Sequence, residues 1–280
     1  MNWLDAVLLG AIEGITEFLP ISSTGHLTIA EKLLGYQIDD PEVTAFTAII
    51  QIGAIAAAVI YFRNDIWRVG MSWLRGLFDS QTRKKNPDYM YGWAIIVGSI
   101  PIAIVGLVFQ ETIETTLRSL WFVAAGLIGW SAVLWLADRK APQLKSEKDV
   151  TWKDTLVMGA VQCMALIPGV SRSGATMSAG LFAGFDRVTV TRLSFFLGIP
   201  ALVAAGTLQA ITRADDIGSG VIGWGPTILA TAVSFVVGYA AIAWLLRFVA
   251  TNTFTIFIQY RLVVGVLLVV LLSTGTISAT

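Results

Sequence analysis

Six stretches of the chain run without a charged side chain for long enough to cross a bilayer, which takes roughly 20 helical residues. They are 43–62, 91–110, 119–137, 193–212, a longer one within 217–246 and a last one within 254–280. The pattern predicts six transmembrane helices. Pro101, Pro200 and Pro226 punctuate them, as membrane helices tolerate better than soluble ones. Arg261 falls either at the entry of the last span or inside its first turns. Two further apolar stretches are broken. Residues 6–30 are interrupted by Glu13, Glu17, Pro20 and the run Ser22-Ser23-Thr24-Gly25-His26, and residues 155–185 by Pro168-Gly169, Ser171, Arg172, Ser173 and Gly174. Each reads as a short helix, a polar turn and another short helix. Irregular backbone survives at membrane depth only where protein buries it or it lines a wet cavity, so two re-entrant hairpins are expected.

The broken stretches also match each other. Gly10-Ala11-Ile12-Glu13 aligns with Gly159-Ala160-Val161-Gln162, and both lead through a proline into a serine-rich turn, at an offset of 149 residues. A self-similarity at about half the chain length signals an internal repeat. Each half is then one hairpin followed by three spans, and an odd number of spans inserts the second half upside down. Inverted repeats build sites where half-helix ends meet near the midplane. The expected fold is an all-α polytopic membrane protein of six transmembrane helices plus two re-entrant helical hairpins in an inverted repeat. It forms a single membrane domain over 1–280, with repeat 1 at 1–137, a cytoplasmic loop at 138–154 and repeat 2 at 155–280.

Composition narrows the class. Hydrophobic residues make up 55% of the 280 and charged ones 14%, against about 25% charged in globular chains, and the mean hydropathy is +0.72. A soluble enzyme and a disordered chain are excluded, and 19 basic residues balanced by 19 acidic ones speak against nucleic acid as a partner. A single cysteine, Cys163, excludes a disulfide scaffold and a cysteine-rich metal site. Basic residues crowd 63–90 (Arg63, Arg68, Arg75, Arg83, Lys84, Lys85) and 138–154 (Arg139, Lys140, Lys145, Lys148, Lys153). The other loops are short and acidic: Asp39, Asp40 and Glu42; Glu111 and Glu114; Asp215 and Asp216. By the positive-inside rule both basic segments are cytoplasmic and both termini lie outside. The first segment lacks the basic region and cleavage site of a signal peptide and is expected to stay.

Charge inside the membrane is costly, about 2.5–3.5 kcal/mol per group on insertion scales, so each such residue is a functional candidate. Glu13 and Glu17 are four apart and share one helix face. They suit a hard divalent cation such as Mg²⁺ or Ca²⁺ or a proton-handling pair; the bland alternative is a solvated helix end. His26, the sole histidine, follows Ser22-Ser23-Thr24-Gly25. That placement fits a hydroxyl nucleophile with a nearby base, or an imidazole nucleophile, or else an incidental hydrogen-bonded histidine. Arg172 sits among small and hydroxyl residues from Pro168 to Thr176, a setting that suits a phosphate at the start of a following helix; the alternative is an arginine snorkelling to the interface. Thr47, Gln51 and Gln162 are uncharged polar residues in apolar segments, and Gln162 occupies the repeat position of Glu13. Trp67, Trp73, Trp93, Trp121, Trp130 and Trp135 read as interfacial belt and packing.

The run from Glu13 through Gly14-Ile15-Thr16-Glu17-Phe18-Leu19-Pro20 to His26, with Pro168-Gly169-Val170-Ser171-Arg172-Ser173-Gly174-Ala175-Thr176, resembles the undecaprenyl-diphosphate phosphatase family, also called bacitracin-resistance proteins. The likeness extends to Ile50-Gln51-Ile52-Gly53 and covers nearly the whole chain. It implies a hydrolase in the bacterial plasma membrane that converts undecaprenyl diphosphate to undecaprenyl phosphate, recycling the carrier for cell-wall synthesis and opposing bacitracin through the shared substrate. It implies a site open to the outer face, a divalent-cation requirement met by Glu13 and Glu17, and a homodimer. By position, Arg172 binds the diphosphate with Ser171, Ser173 and Thr176, and Ser22, Thr24, Gln51 and Gln162 join the substrate-binding set. Ser23 attacks with His26 as base, or His26 itself attacks. The rival readings are a polyprenyl-phosphate transporter or flippase and a non-catalytic lipid-binding scaffold.

Overall fold

The structure is a computed structural model that describes residues 1–109, 117, 119–219 and 222–279. Glu111 and Glu114 lie outside the described residues, as do the side chains of Asp215 and Asp216. The helices are α1 (Trp3–Thr16), α2 (Ser23–Leu33), α3 (Pro41–Tyr61), α4 (Arg63–Phe78), α5 (Ser80–Lys85), α6 (Pro87–Val108), α7 (Leu120–Lys140), α8 (Trp152–Gln162), α9 (Arg172–Phe182), α10 (Arg187–Ser219), α11 (Trp224–Val249) and α12 (Thr255–Ser273). Local chemistry sets many of these starts. Asp40 and Asn86 cap α3 and α6, each with a proline next in line, where its missing N–H costs nothing. Thr151 and Asp154 form a reciprocal capping box on α8.

Six helices are long and apolar enough to cross a membrane: α3, α6, α7, Arg187–Leu208 of α10, α11 and α12. They fall on the six charge-free stretches. Arg261 lies inside the last of them, not at its entry. The two broken stretches each form helix, turn and helix: α1–α2, and α8–α9 with a 3-10 segment Cys163–Leu166 between.

The basic segment after α3, read from sequence as a loop, is helical. Asp79 caps α5, accepting from the N–H groups of Gln81 and Thr82. The Thr82 hydroxyl and those N–H groups hold its carboxyl below the usual range. Helix α4 lies across the beginning of α6. Arg68 donates to Asp88 at 3.2 Å, Ser72 accepts from Asn86 at 3.0 Å, and Gly76 faces the Tyr89 ring. The contact runs on to Gly92 and Trp93, both of which meet Trp73. Along α4's outer side run Trp67, Leu74 and Phe78, all exposed.

The two halves pack reciprocally. The first helix of the first unit, α1, lies on α11, the middle span of the second half; its counterpart α8 lies on α6, the middle span of the first. The first spans α3 and α10 pair, as do the third spans α7 and α12. Two glycines that the repeat aligns make this possible. Gly10 abuts the Ala230 backbone and Gly159 the Gly98 backbone, so closely that a Cβ at either would overlap main-chain atoms. Small residues at such contacts let helix backbones approach. The rings of Phe18 and Phe195 meet edge to face with centroids 5.4 Å apart, tying the first turn to α10. At the far end Asp138 accepts from Arg187 Nε at 2.6 Å and from the Phe254 N–H at 3.0 Å, fastening α7, α10 and α12.

Candidate active site

The two turns share one geometry. Ser22 and Ser171, aligned by the repeat, both take a left-handed backbone, with φ of 78° and 76°. Each caps the helix that follows, its hydroxyl accepting from the N–H of Gly25 or Gly174, three residues on. A left-handed conformation at a non-glycine residue stores strain, and such strain collects at functional sites. The capped helices α2 and α9 begin with Ser23 and Arg172, also aligned by the repeat.

These two residues meet at Glu17. The Ser23 hydroxyl donates to Glu17 Oε2 at 2.6 Å, and Arg172 Nη2 donates to Glu17 Oε1 at 3.2 Å. Arg172 Nη1 donates to the Ser194 carbonyl at 2.9 Å, and its Nε is left without a partner. The guanidinium lies over Gly198, where any side chain would collide with it. Glu17 is 6% exposed and Ser23 9%, so this charge-assisted contact sits in low dielectric, where it is stronger than in water.

A cavity of about 340 Å³ opens over the group, lined by both turns. Of the residues anticipated for substrate binding, Ser22, Thr24, Gln51 and Ser171 line it, together with Glu17, Ser23 and Arg172. Ser173 and Thr176 do not. The Ser173 hydroxyl donates across to the Leu19 carbonyl at 2.9 Å, and Thr176 bonds back to the Arg172 carbonyl at 2.9 Å. They brace the turns. Glu13 and Gln162 are wholly buried, and the side-chain polar atoms of both lack partners.

Ser23 and His26 are not brought together. Nδ1 of His26 lies 2.7 Å from the Ser22 carbonyl, and Nε2 lies 2.9 Å from the Tyr260 hydroxyl. A carbonyl only accepts, so in the neutral ring the proton is on Nδ1 and Nε2 accepts from Tyr260. The hydroxyl's basic partner is therefore Glu17.

Sequence reasoning passed over two features. Glu31 is buried, accepts from the Thr47 hydroxyl at 2.6 Å and lines the cavity. Its signal was present: Thr24, Thr28 and Glu31 fall on one face of α2, as Thr44, Thr47 and Gln51 do on α3, and all six line the cavity. The other is Tyr260 on α12, together with the contacts that its neighbour Arg261 makes. Tyr36 donates to Asp5 at 2.6 Å, joining the end of the first unit to its start. Burial and then that carboxylate push its hydroxyl up to about 12.

Fold and site together define a multi-pass α-helical membrane protein in which two pseudo-symmetric turns present a carboxylate-bonded serine and an arginine to one cavity. Residues 6–267 match the family model described as Bacitracin resistance protein BacA, and the chain belongs to that family. It is 62% identical, over the full length of both chains, to Undecaprenyl-diphosphatase 3 of Frankia casuarinae. It is 56% identical to Undecaprenyl-diphosphatase of Cutibacterium acnes and 50% to that of Acidothermus cellulolyticus, again over the whole of each chain.

Proposed function

We propose that this chain is a membrane hydrolase that converts undecaprenyl diphosphate to undecaprenyl phosphate and inorganic phosphate. The observation that carries the proposal is the Glu17–Ser23–Arg172 contact at the floor of a cavity built by both turns. Ser23 attacks the terminal phosphorus and Glu17 takes its proton. The bond to the lipid phosphate breaks, and that proton passes to the departing undecaprenyl phosphate. Water, activated by the same carboxylate, then cleaves the phosphoserine, releasing inorganic phosphate and restoring the hydroxyl. Arg172 holds the equatorial oxygens through its fork and its unpartnered Nε. Most of the catalysis is positioning and charge neutralisation. His26, bonded to Tyr260, fixes the turn and sets the polarity beside the nucleophile.

The unpartnered carboxylate of Glu13 fits a hard divalent cation, which commonly takes one or two carboxylates and completes its shell with water and phosphate oxygens. Both oxygens of Glu17 are already engaged, so Glu13 would be the principal protein ligand of such a cation and Glu17 a secondary one. When bound, the cation would supply charge neutralisation of the diphosphate. In this reading the two turns form re-entrant hairpins, the cavity faces outward, and the basic α4–α5 segment is cytoplasmic. A flippase needs no activated hydroxyl, and no feature of the site favours that reading.

The test is phosphate release from a polyprenyl diphosphate by the detergent-purified protein, with and without chelator. Release that chelator suppresses and a divalent ion restores is expected; no release under any divalent ion sinks the hydrolase reading. A cysteine placed in 80–88, in a Cys163→Ser background, is expected to resist an impermeant thiol reagent in intact cells, and labelling there overturns the orientation.

A further inference from the structure

Arg261 sits in the second turn of α12 and is the largest fully buried side chain among the described residues, with 0% exposure. No carboxylate pairs with it among those residues. Its guanidinium is satisfied by dipoles alone. Nε donates to the Ser131 hydroxyl at 3.1 Å, and Nη2 to the Gly126 carbonyl at 3.1 Å, both on α7. Nη1 donates to the Pro20 carbonyl at 3.0 Å, and Nη2 also to the Gly169 carbonyl at 2.9 Å.

The last two contacts are the informative ones. Pro20 and Gly169 are aligned by the repeat, and each stands two residues before the capping serine of its turn. One rigid fork therefore grips the same backbone atom in both turns, three residues upstream of Ser23 on one side and of Arg172 on the other. Burying a charge with no opposite charge beside it is unfavourable, and packing α12 on α7 would not require one. The fork does what an apolar side chain or a lysine cannot: a lysine offers three donors from a single point, whereas a planar guanidinium spans two separated acceptors.

We propose that Arg261 is a positioning residue that sets the spacing of the two turns and thereby the alignment of Ser23 with the phosphoryl group held by Arg172. The inference rests on the hydrolase reading above. It touches no substrate; it acts through the Pro20 and Gly169 carbonyls.

The test compares Arg261→Lys, Arg261→Gln and Ser131→Val in the full-length purified protein, with turnover normalised to folded protein by thermal unfolding. For both Arg261 variants kcat is expected to fall about 100-fold, with KM changed less than about threefold, since misplacing a reacting group by about 1 Å has that effect. Lysine keeps the charge, so its failure to rescue separates the fork from the field. Ser131→Val leaves both turn contacts in place and is expected to lower stability while kcat stays within about twofold, the loss of one hydrogen bond from a charged donor being felt in folding rather than turnover. Spin labels at Leu33→Cys and Met164→Cys, in a Cys163→Ser background, are expected to give a broader distance distribution when Arg261 is replaced. Wild-type kcat and an unchanged distribution in Arg261→Lys overturn the proposal. Should neither Arg261 variant assemble, a tenfold loss of kcat in Ser131→Val overturns it instead. If the wild-type protein itself releases no phosphate, the hydrolase reading fails, and the label distances still decide the spacing.

Discussion

The two turns are alike in backbone and unlike in chemistry. Ser22 and Ser171 share a strained φ and the same capping bond, and Gly10 and Gly159 the same close approach to a middle span. At the next aligned position one turn carries Ser23 and the other Arg172; at another, one carries Glu13 and the other Gln162. The doubled part is the scaffold that brings two helix starts face to face. On the proposed mechanism the undoubled part divides a phosphoryl-transfer site between them, with the nucleophile and its base on one side and the anion grip on the other. A single unit would hold half of that constellation.

Breaking this division at the grip has the largest expected effect. Arg172→Ala is expected to lower kcat by roughly 1000-fold, the upper end for removing a transition-state donor, in a phosphate-release assay with the fold checked by thermal unfolding. On the other side, Ser23→Ala and Glu17→Gln are each expected to cost roughly 100-fold or more, and the double variant little beyond either, because residues acting as a unit are non-additive. If His26→Ala costs more than Ser23→Ala, the nucleophile is the imidazole. Gly198→Ala is expected to displace the Arg172 guanidinium and lower kcat about tenfold, while Gly206→Ala on the same helix does not, since overpacking forces a shift where no room exists. The smallest effect sharpens the likeness. Ser22→Gly and Ser171→Gly are expected to shift stability by similar amounts, under about 1 kcal/mol each, because glycine loses the cap but relieves the strain. A large difference between them would break the equivalence of the turns.

Much of this was legible in the chain. Spans were visible because the charge-free runs are long, and the repeat because the close approach of Gly10 and Gly159 dictates residue type. Glu17 and Arg172 stood out as charges in apolar surroundings. The partner of Ser23 was not legible. Ser23 and His26 are three apart, which suggests a pair, yet the ring is bonded back to the Ser22 carbonyl and the hydroxyl reaches a carboxylate that only the fold of residues 18–21 brings near. Arg261 was visible as a charge but not as a contact, because its partners are backbone carbonyls more than 90 residues away in the chain. No spacing rule reports those. The helical nature of α4 and α5 was hidden by their charge, which reads as a solvated loop until capping by Asp79 and packing across α6 are taken into account.

Both residues that reach the turns from more than 80 residues further along the chain, Tyr260 and Arg261, belong to α12, which is synthesised after both turns. Chains fold and insert from the amino terminus during synthesis, so both turns exist well before the helix that clamps them. A nascent chain ending before Thr255 holds Glu17, Ser23 and Arg172, and the Ser173–Leu19 bond between the turns, but lacks the fork that grips both. If Arg261 sets the spacing of the turns as proposed, competence for chemistry waits on the synthesis of α12, and a product truncated before Thr255 is expected to be inert.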